Sequence, residues 1–195
     1  MTEVTTQRLL LRPPDEADLP AIAGLLDDVA VSRMLARVPH PYRLDHAQGW
    51  FATINRQGAG GERVFAVTAN GKAIGMIGFQ RKRREPTLGY WLGRPYWGRG
   101  LMSEAVQAAV HWFFSESDEA ALYSGAFRDN PASLRIQEKL GFEVIGSAPL
   151  DCMALGRART EFKTRLDRET FAGLVAENSG ARWSPPLTAE PKQAT

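Results

Sequence analysis

A glycine-spaced turn between an apolar strand and a long helix is the part of this sequence best suited to chemistry. Residues 89–101 read Gly-Tyr-Trp-Leu-Gly-Arg-Pro-Tyr-Trp-Gly-Arg-Gly-Leu. Gly98 and Gly100 let the backbone approach a ligand with no Cβ in the way. The first turn of the next helix, Leu101–Glu104, has amide N–H groups without intrahelical partners and carries the positive end of the helix dipole. The pattern predicts an anion site, with a pyrophosphate as the expected anion.

Arg94 and Arg99 lie on either side of this turn and favour the same interpretation. Spacing alone also allows a tight connection that binds nothing. The turn has neither the Gly-Lys-Ser/Thr of a P-loop nor the Gly-x-Gly-x-x-Gly of a dinucleotide fold, so a ligand other than ATP or NAD is indicated.

The elements before the turn are predicted from hydrophobic spacing and turn residues. A strand, two helices and a hairpin closed by Asn70-Gly71 precede a third sheet strand that ends at the glycine turn. Gly75 and Gly78 weaken the second hairpin strand unless a bulge or a close neighbour explains them. The predicted ranges are Arg8–Arg12, a helix capped by Asp15, a helix over Leu44–Arg56, strands Arg63–Thr68 and Ala73–Phe79, a loop Arg81–Pro86, and strand Thr87–Gly93.

The elements after the turn begin with a helix over Gly98–Ser115, which is apolar over a wide arc and should be buried against the sheet. A further helix has clear boundary signals: Asn130 as N-cap, Pro131 at its first position and Gly141 just beyond its end. The other predicted elements are strands Ala121–Phe127, Phe142–Ile145 and Thr160–Leu166 and a helix Asp167–Ala176. We predict one domain over residues 1–176 and a mobile tail over 177–195.

Composition excludes several classes of function. The chain has 195 residues, 44% of them hydrophobic, which suits one buried α/β core. Its formal charge of +2 is too small to indicate nucleic-acid binding, and the basic run Arg81–Arg84 is most simply a solvated turn.

Cysteine and histidine usage argues against a metal site. Cys152 is the only cysteine and is expected to be a small core residue, while His40, His46 and His111 show no ligand spacing. The first residues form no apolar leader, and no apolar run is long enough to span a membrane. We therefore expect a cytoplasmic protein that binds neither metal nor membrane.

Two motifs in order resemble the GNAT family of acetyl-CoA-dependent N-acetyltransferases. The first is the strand, turn and helix of Gly89–Glu104, and the second is Asn130-Pro-Ala-Ser133 leading to Glu138-Lys-Leu-Gly-Phe142. Further motifs resemble the branch that contains the RimJ and RimL ribosomal-protein N-terminal acetyltransferases: Arg8-Leu-x-Leu-Arg12, Pro41-Tyr42 before the Trp50 helix, and Gly89-Tyr-Trp.

The resemblance implies a single-domain α/β (α+β) fold whose central, mixed, mostly antiparallel twisted sheet has about six to seven strands flanked by helices. It places acetyl-CoA, the co-substrate, in a V-shaped cleft between the central strands. The pyrophosphate would lie on the amides of Gly98, Arg99, Gly100, Leu101 and Met102, and the pantetheine on the backbone of Tyr90, Trp91 and Leu92.

Four side chains of the predicted helix after Asn130 also acquire roles from the resemblance. Asn130 would touch the pantetheine besides capping the helix, and Ser133 would lie near the thioester sulfur as a catalytic residue. Arg135 and Lys139 could reach the adenosine phosphates. Two positions depart from the family: Pro95 replaces a phosphate-contacting residue, for which Arg94 could substitute, and Thr87 replaces a glutamate that is the usual base candidate.

The general base is left among three carboxylates. Glu85 shares a strand face with Thr87 if the strand begins early enough, and is the residue we select. Asp151 is a rival, and Glu104 is explained by the helix dipole without any chemistry.

The implied reaction is attack of a primary amine, such as a protein N-terminus, on the acetyl carbonyl. Two alternatives are a small-molecule amine as acceptor, in a pocket lined by aromatic residues, and an acyl-CoA-binding protein without catalysis. A homodimer is also conceivable. The aromatic candidates for the pocket are Tyr42, Trp50, Phe51, Tyr90 and Trp97.

Overall fold

A computed structural model describes residues 2–57, 63–82, 85–179 and 187–188. The strands are β1 (Val4–Thr5), β2 (Leu10–Arg12), β3 (Arg63–Ala69), β4 (Lys72–Lys82), β5 (Glu85–Leu92), β6 (Ala121–Phe127), β7 (Glu143–Cys152), β8 (Arg157–Asp167) and β9 (Leu187–Thr188). The helices are α1 (Leu19–Leu26), α2 (Val29–Ser32), α3 (Leu44–Gln57), α4 (Leu101–Ser115), α5 (Pro131–Lys139) and α6 (Arg168–Ser179). Short 3₁₀ turns cover Glu16–Asp18, Arg94–Tyr96 and Met153–Leu155.

The described strands form one mixed sheet in the order β7-β8-β6-β5-β4-β3-β2-β1-β9. Neighbouring strands are antiparallel throughout, except that β5 and β6 run parallel. This confirms the predicted mixed, mostly antiparallel α/β class. The predicted number of strands was too low, because β1 and β9 have two residues each and carry almost no strand signal of their own.

Helices cover both faces of the sheet. On one face, α4 packs its wide apolar arc on strands β2 to β6, with Trp112 against Phe65 and Phe113 stacked on Phe79 at 5.0 Å between ring centroids. On the other face, α1 and α3 pack around Ala66 and Met76. We call these the α4/α5 face and the α1/α3 face, because α5 joins the first core through Ile136 and Leu140.

The local signals in the sequence placed most elements correctly. Asn70 and Gly71 have φ angles of 49° and 74°, as the predicted hairpin turn requires. Gly75 also has its explanation: a Cβ there would lie 2.3 Å from the carbonyl oxygen of Trp91, and the β3–β4 register shifts beside it. Asp15 caps the 3₁₀ turn Glu16–Asp18 through a reciprocal capping box with Asp18, and α1 follows directly at Leu19.

Several predicted boundaries were wrong, including the start of β8, which lies at Arg157 and not at Thr160. The loop Arg81–Pro86 is shorter than expected, because β4 runs to Lys82 and β5 begins at Glu85; Arg83 and Arg84 lie outside the described residues. The helix expected from Gly98 begins at Leu101. The strand expected over Phe142–Ile145 extends to Cys152, because it pairs with β8 along its whole length.

The C-terminal segment is partly described. Helix α6 continues past the predicted domain end to Ser179, and Leu187–Thr188 pair with β1. The predicted mobile tail falls otherwise outside the described residues.

Candidate active site

A cleft of about 1740 Å³ opens where the two parallel strands of the sheet separate. Among the described residues, strands β5 and β6 pair only at Thr87 and Tyr123. Next to that pair the Ser124 hydroxyl still bridges the strands by donating to the Leu88 carbonyl oxygen at 3.0 Å, and further along the edges of the two strands face the cleft. This arrangement is the predicted V-shaped opening between the central strands.

Side chains of β5 alternate between the two faces of the sheet at this opening. Leu88, Tyr90 and Leu92 belong to the core under α4 and α5, whereas Trp91 packs with the α1/α3 layer. Thr87, Gly89 and Trp91 therefore face the α1/α3 side of the cleft. The cleft is reached from both faces of the sheet.

A buried hydroxyl cluster lies on the α4/α5 side. The Tyr90 hydroxyl is 2.8 Å from Ser133 Oγ and also donates to the Ser133 carbonyl oxygen at 3.1 Å. Burial raises the pKa of Tyr90, although its hydrogen bonds to Ser133 and Gln137 oppose the rise. Tyr90 therefore stays protonated and remains a hydrogen-bond donor.

Gln137 organises this cluster and was not anticipated from the sequence. Its amide nitrogen lies 3.2 Å from Ser124 Oγ and 3.3 Å from Ser133 Oγ, and its amide oxygen accepts from Thr164 Oγ1 at 2.7 Å. Gln137 follows Ser133 by four residues on α5, so helical spacing places both on one face. That spacing is the signal that could have revealed it.

The first turn of α5 has the predicted cap. Asn130 accepts the Ser133 amide at 3.2 Å, and Asn130 and Ser133 both line the cleft. Gly141 follows the helix with a φ of 86°, which a left-handed terminator requires. Arg135 and Lys139 are exposed on the same helix.

The glycine turn lies at the end of β5, beside the cleft and outside its lining. Gly98 and Gly100 have φ angles of 73° and 72°, and Gly100 is the N-cap of α4 without any side chain to bind the helix amides. The Leu101 and Met102 side chains are buried in the core, which fixes the helix start. The start of the helix is thus anchored and has no side-chain cap, as an anion site needs.

The guanidinium beside this turn belongs to Arg8. It donates to the Arg99 carbonyl oxygen at 2.9 Å, and its Nη2 lies 3.6 Å from where a Cβ of Gly100 would be. Arg94, the residue expected to substitute for Pro95, is directed to Asp28 at 3.6 Å. Its role as the substitute stays a prediction.

Glu104, in the first turn of α4, is held by hydrogen bonds from Thr6 and Arg8. Its carboxylate accepts from Thr6 Oγ1 at 2.6 Å, from the Arg8 amide at 2.9 Å and from Arg8 Nε at 2.6 Å. Burial would raise the pKa of Glu104, but these hydrogen bonds outweigh it and lower the pKa. A carboxylate held this way is a poor proton acceptor, which removes Glu104 from the base candidates.

The other two base candidates differ in position. Glu85 is exposed at the first residue of β5 and lines the cleft. Asp151 is exposed on β7 and is not among the residues that line the cleft, whereas its neighbour Leu150 is.

The aromatic residues predicted to line an acceptor pocket also differ in position. Tyr42, Trp50 and Tyr90 line the cleft, whereas Phe51 and Trp97 do not. Trp97 instead donates its indole N–H to the Leu92 carbonyl at 2.7 Å and closes the end of β5. Cys152, as predicted, is a fully buried residue.

Within the described residues, no helix is long and apolar enough to cross a membrane, and no group of three potential metal ligands occurs.

Comparison with known proteins gives consistent matches. Residues 8–143 match the family described as "Acetyltransferase (GNAT) domain". An uncharacterized N-acetyltransferase from a Bacillus subtilis prophage, YokL, is 27% identical over 176 residues, covering 84% of this chain and 97% of the relative.

Two solved structures are similar in fold. A spermidine N-acetyltransferase from Vibrio cholerae, in complex with CoA and spermine, aligns with a TM-score of 0.73 at 19% identity over 86% of this chain and 99% of that one. RimL, a ribosomal L7/L12 α-N-protein acetyltransferase in complex with CoA, aligns with a TM-score of 0.71 at 19% identity over 87% and 99%.

Proposed function

The chain belongs to the GNAT family of N-acetyltransferases, and from that premise we propose that it transfers the acetyl group of acetyl-CoA to the primary amine of a protein N-terminus. The cleft between β5 and β6 is the observation that carries the proposal, because it joins the hydroxyl cluster to the open α1/α3 face. Donor and acceptor can therefore meet at the sheet from opposite sides, in a ternary complex.

The donor would be held along β5 and the glycine turn. Gly98–Met102 would bind the pyrophosphate through their amides, assisted by Arg8, and the backbone of Tyr90, Trp91 and Leu92 would bind the pantetheine. Arg99, Arg135 and Lys139 would bind the nucleotide phosphates. Acetyl-CoA supplies the activated acetyl group.

The protein would position and protonate the departing thiolate. Asn130 would hold the pantetheine near the start of α5. Ser133 would donate its hydroxyl hydrogen to the sulfur in place of its contact with the Tyr90 hydroxyl oxygen at 2.8 Å, while the Gln137 amide nitrogen, 3.3 Å from Ser133 Oγ, holds the serine in position. Both hydroxyls lie within the cluster at the edge of the cleft, where a thioester between the strands would pass.

The charge of the cleft favours a peptide over a polyamine. A polyamine carries several positive charges and calls for a marked excess of carboxylates, whereas the acidic and basic residues here are nearly balanced. The charged residues that line the cleft are Asp45, Glu85, Glu116, Glu119 and Glu161 against Arg37, Arg63, Arg81 and Lys163.

A small amine is the second candidate acceptor, because Tyr42, Trp50 and Trp91 line the same cleft and could enclose a compact ligand. A thiol-release assay with N-terminal peptides, polyamines and amino acids separates the two. Thiol release only with peptides supports the proposal. Tight CoA binding without release for any amine would instead indicate a non-catalytic acyl-CoA-binding protein.

Binding of acetyl-CoA is tested by calorimetry with a matched pair of variants. Gly100→Val and Gly71→Val place the same side chain at φ angles of 72° and 74°, so both carry similar backbone strain. Only Gly100→Val should abolish binding, because Gly71 lies in the β3–β4 turn. Absence of wild-type binding at millimolar acetyl-CoA, or equal loss in both variants, would contradict the assignment.

We further propose a cytoplasmic enzyme that forms a homodimer through β7, whose Val144 and Ile145 are 60% and 53% exposed on an edge strand. Light scattering of the wild type and of Val144→Lys tests the dimer, and a monomeric wild type would contradict it.

A further inference from the structure

A row of glycines crosses the α1/α3 face of the sheet at the cleft. Gly78 of β4 pairs with Gly89 of β5, and the Thr87–Tyr123 pair sets Gly89 opposite Gly125 of β6 two residues further on. Thr87 and Gly89 face the α1/α3 side, and Gly78 and Gly125 share that face by register. We call Gly78, Gly89 and Gly125 the glycine trough.

Because these three residues have no side chains, the α1/α3 face of β4, β5 and β6 carries none at these positions. A Cβ on Gly89 would meet nothing within 4 Å, so the space above this residue is open. The trough crosses the gap between β5 and β6, beyond which lies the hydroxyl cluster of Tyr90 and Ser133. A group bound in the trough can therefore reach a thioester that comes through the gap.

One carboxylate lies directly above the trough. Glu161 of β8 is half-buried, and its Oε1 would be 2.5 Å from a Cβ on Gly125. The missing side chain at Gly125 is what allows the carboxylate to lie against β6. Among the described residues, Glu161 has no side-chain hydrogen bond or ion pair within the protein, and it lines the cleft.

Glu85, the base selected from the sequence, lies further away. It faces the same side as Gly89 but precedes it by four residues, which is about 13 Å along a strand. It lies at the end of the hairpin where the chain passes from β4 to β5, opposite Lys82, and is exposed. Glu161 is the better placed of the two.

We propose that Glu161 binds the acceptor ammonium in the glycine trough and is the general base of the reaction. The inference rests on the proposed acetyl transfer and names the residue that activates the acceptor. The ammonium gives one proton to the Glu161 carboxylate, and the neutral amine nitrogen bonds to the acetyl carbon.

Collapse of the tetrahedral intermediate then breaks the C–S bond. The second amine proton passes from the nitrogen to solvent, the thiolate takes up one proton from solvent through Ser133, and the amide and free CoA thiol result. Glu161 returns its proton to solvent. The balance is one acetyl group transferred and one proton released for each ammonium consumed.

The test compares Glu161→Gln with Glu169→Gln, the same change at an exposed site on α6. Glu161→Gln should lower kcat by about 10²- to 10⁴-fold, the usual contribution of a general base, while the Kd for acetyl-CoA by calorimetry stays within about twofold. Glu169→Gln should match the wild type. Glu85→Gln, measured in parallel, tests the rival, and a larger loss there than in Glu161→Gln would overturn the proposal.

A second acceptor distinguishes a base from a structural role. The best peptide substrate is compared with the same peptide carrying an aminooxyacetyl group in place of its first residue, because the aminooxy nitrogen is neutral at neutral pH. The loss in Glu161→Gln should be at least about tenfold smaller for the aminooxy peptide, since little proton removal is needed. An equal loss with both acceptors would overturn the base role.

Gly125→Ala provides an independent variant, because its Cβ displaces the carboxylate while leaving Glu161 chemically intact. It should lose kcat with acetyl-CoA binding and the circular dichroism spectrum retained, and wild-type activity would contradict the inference. A wild type that releases no thiol from any amine would refute the proposed function itself, whereas an active wild type with an equally active Glu161→Gln would refute only the role of Glu161.

Discussion

Replacing Gln137 with methionine should destabilise the fold by an amount that follows from its hydrogen bonds. The residue is 1% exposed, so the lost partners cannot be replaced by water. Its amide nitrogen lies within 3.4 Å of three hydroxyl oxygens but has two hydrogens, so it makes two hydrogen bonds at a time. The bond from Thr164 adds a third.

Three hydrogen bonds at about 1 kcal/mol each give a loss near 3 kcal/mol, while the methionine keeps the buried apolar volume. For a chain of this size that corresponds to a fall in Tm of roughly 6–12 °C. Urea unfolding followed by circular dichroism measures the free energy, and the shift in midpoint at constant slope isolates it.

A double-mutant cycle with Thr164→Val tests the reasoning. Gln137→Met leaves the Thr164 hydroxyl buried without its partner, and Thr164→Val removes that stranded group at nearly constant volume. The double variant should therefore be at least about 1 kcal/mol more stable than the sum of the single losses predicts. A Gln137→Met loss below about 0.5 kcal/mol, or strict additivity, would refute the account of the cluster.

Two further predictions concern stability. Gly75→Ala should destabilise the protein by roughly 2–4 kcal/mol in urea unfolding, because its Cβ would lie 2.3 Å from the Trp91 carbonyl oxygen. Gly49→Ala is the control: Gly49 lies in a helix, its Cβ would meet nothing within 4 Å, and the change should be neutral or stabilising. Similar effects of the two substitutions on the free energy of unfolding would contradict the contact at Gly75. Glu104 has a pKa below its usual value near 4.5 in the folded protein, so its stabilising contribution is present above that pH and lost as pH falls through the folded pKa. The stability difference between wild type and Glu104→Gln should therefore shrink on acidification below about pH 4.5, and a difference that is constant with pH would show that the Thr6 and Arg8 contacts contribute nothing.

Elements with a local cause could be predicted from the sequence. The Asn70-Gly71 turn and the Asn130 cap are decided by residues within one turn, so their signals need no knowledge of the rest of the fold. Strand β7 was predicted at less than half its length, because most of it is exposed and it contains Gly146 and Pro149. The length of β7 is set by its pairing with β8, and this pairing cannot be predicted from the local sequence pattern of β7.

In the candidate site, too, only the residues with a local sequence signal could be predicted. The glycine turn and Ser133 are sequence motifs, whereas Arg8 reaches that turn from far away in the chain. Its guanidinium lies beside a turn where Pro95 departs from the family pattern, and we propose that it assists there in binding the pyrophosphate. Such a contact depends on tertiary packing, so the departure at Pro95 was visible in the sequence, whereas the position of Arg8 was not.

The same logic applies to the base. Thr87 occupies the position where the resemblance to the RimJ and RimL branch predicts a glutamate, which from the sequence alone left a non-catalytic protein as an alternative. The sheet register places another carboxylate, Glu161, against Gly125, two residues beyond the Tyr123 that pairs with Thr87. The position of Glu161 depends on the register of β8 against β6 and on the absence of a side chain at Gly125, two facts that are remote from each other in the chain. If Glu161 acts as proposed, the chemistry expected from β5 has been supplied from β8, and the loss of the glutamate at Thr87 is no argument against catalysis.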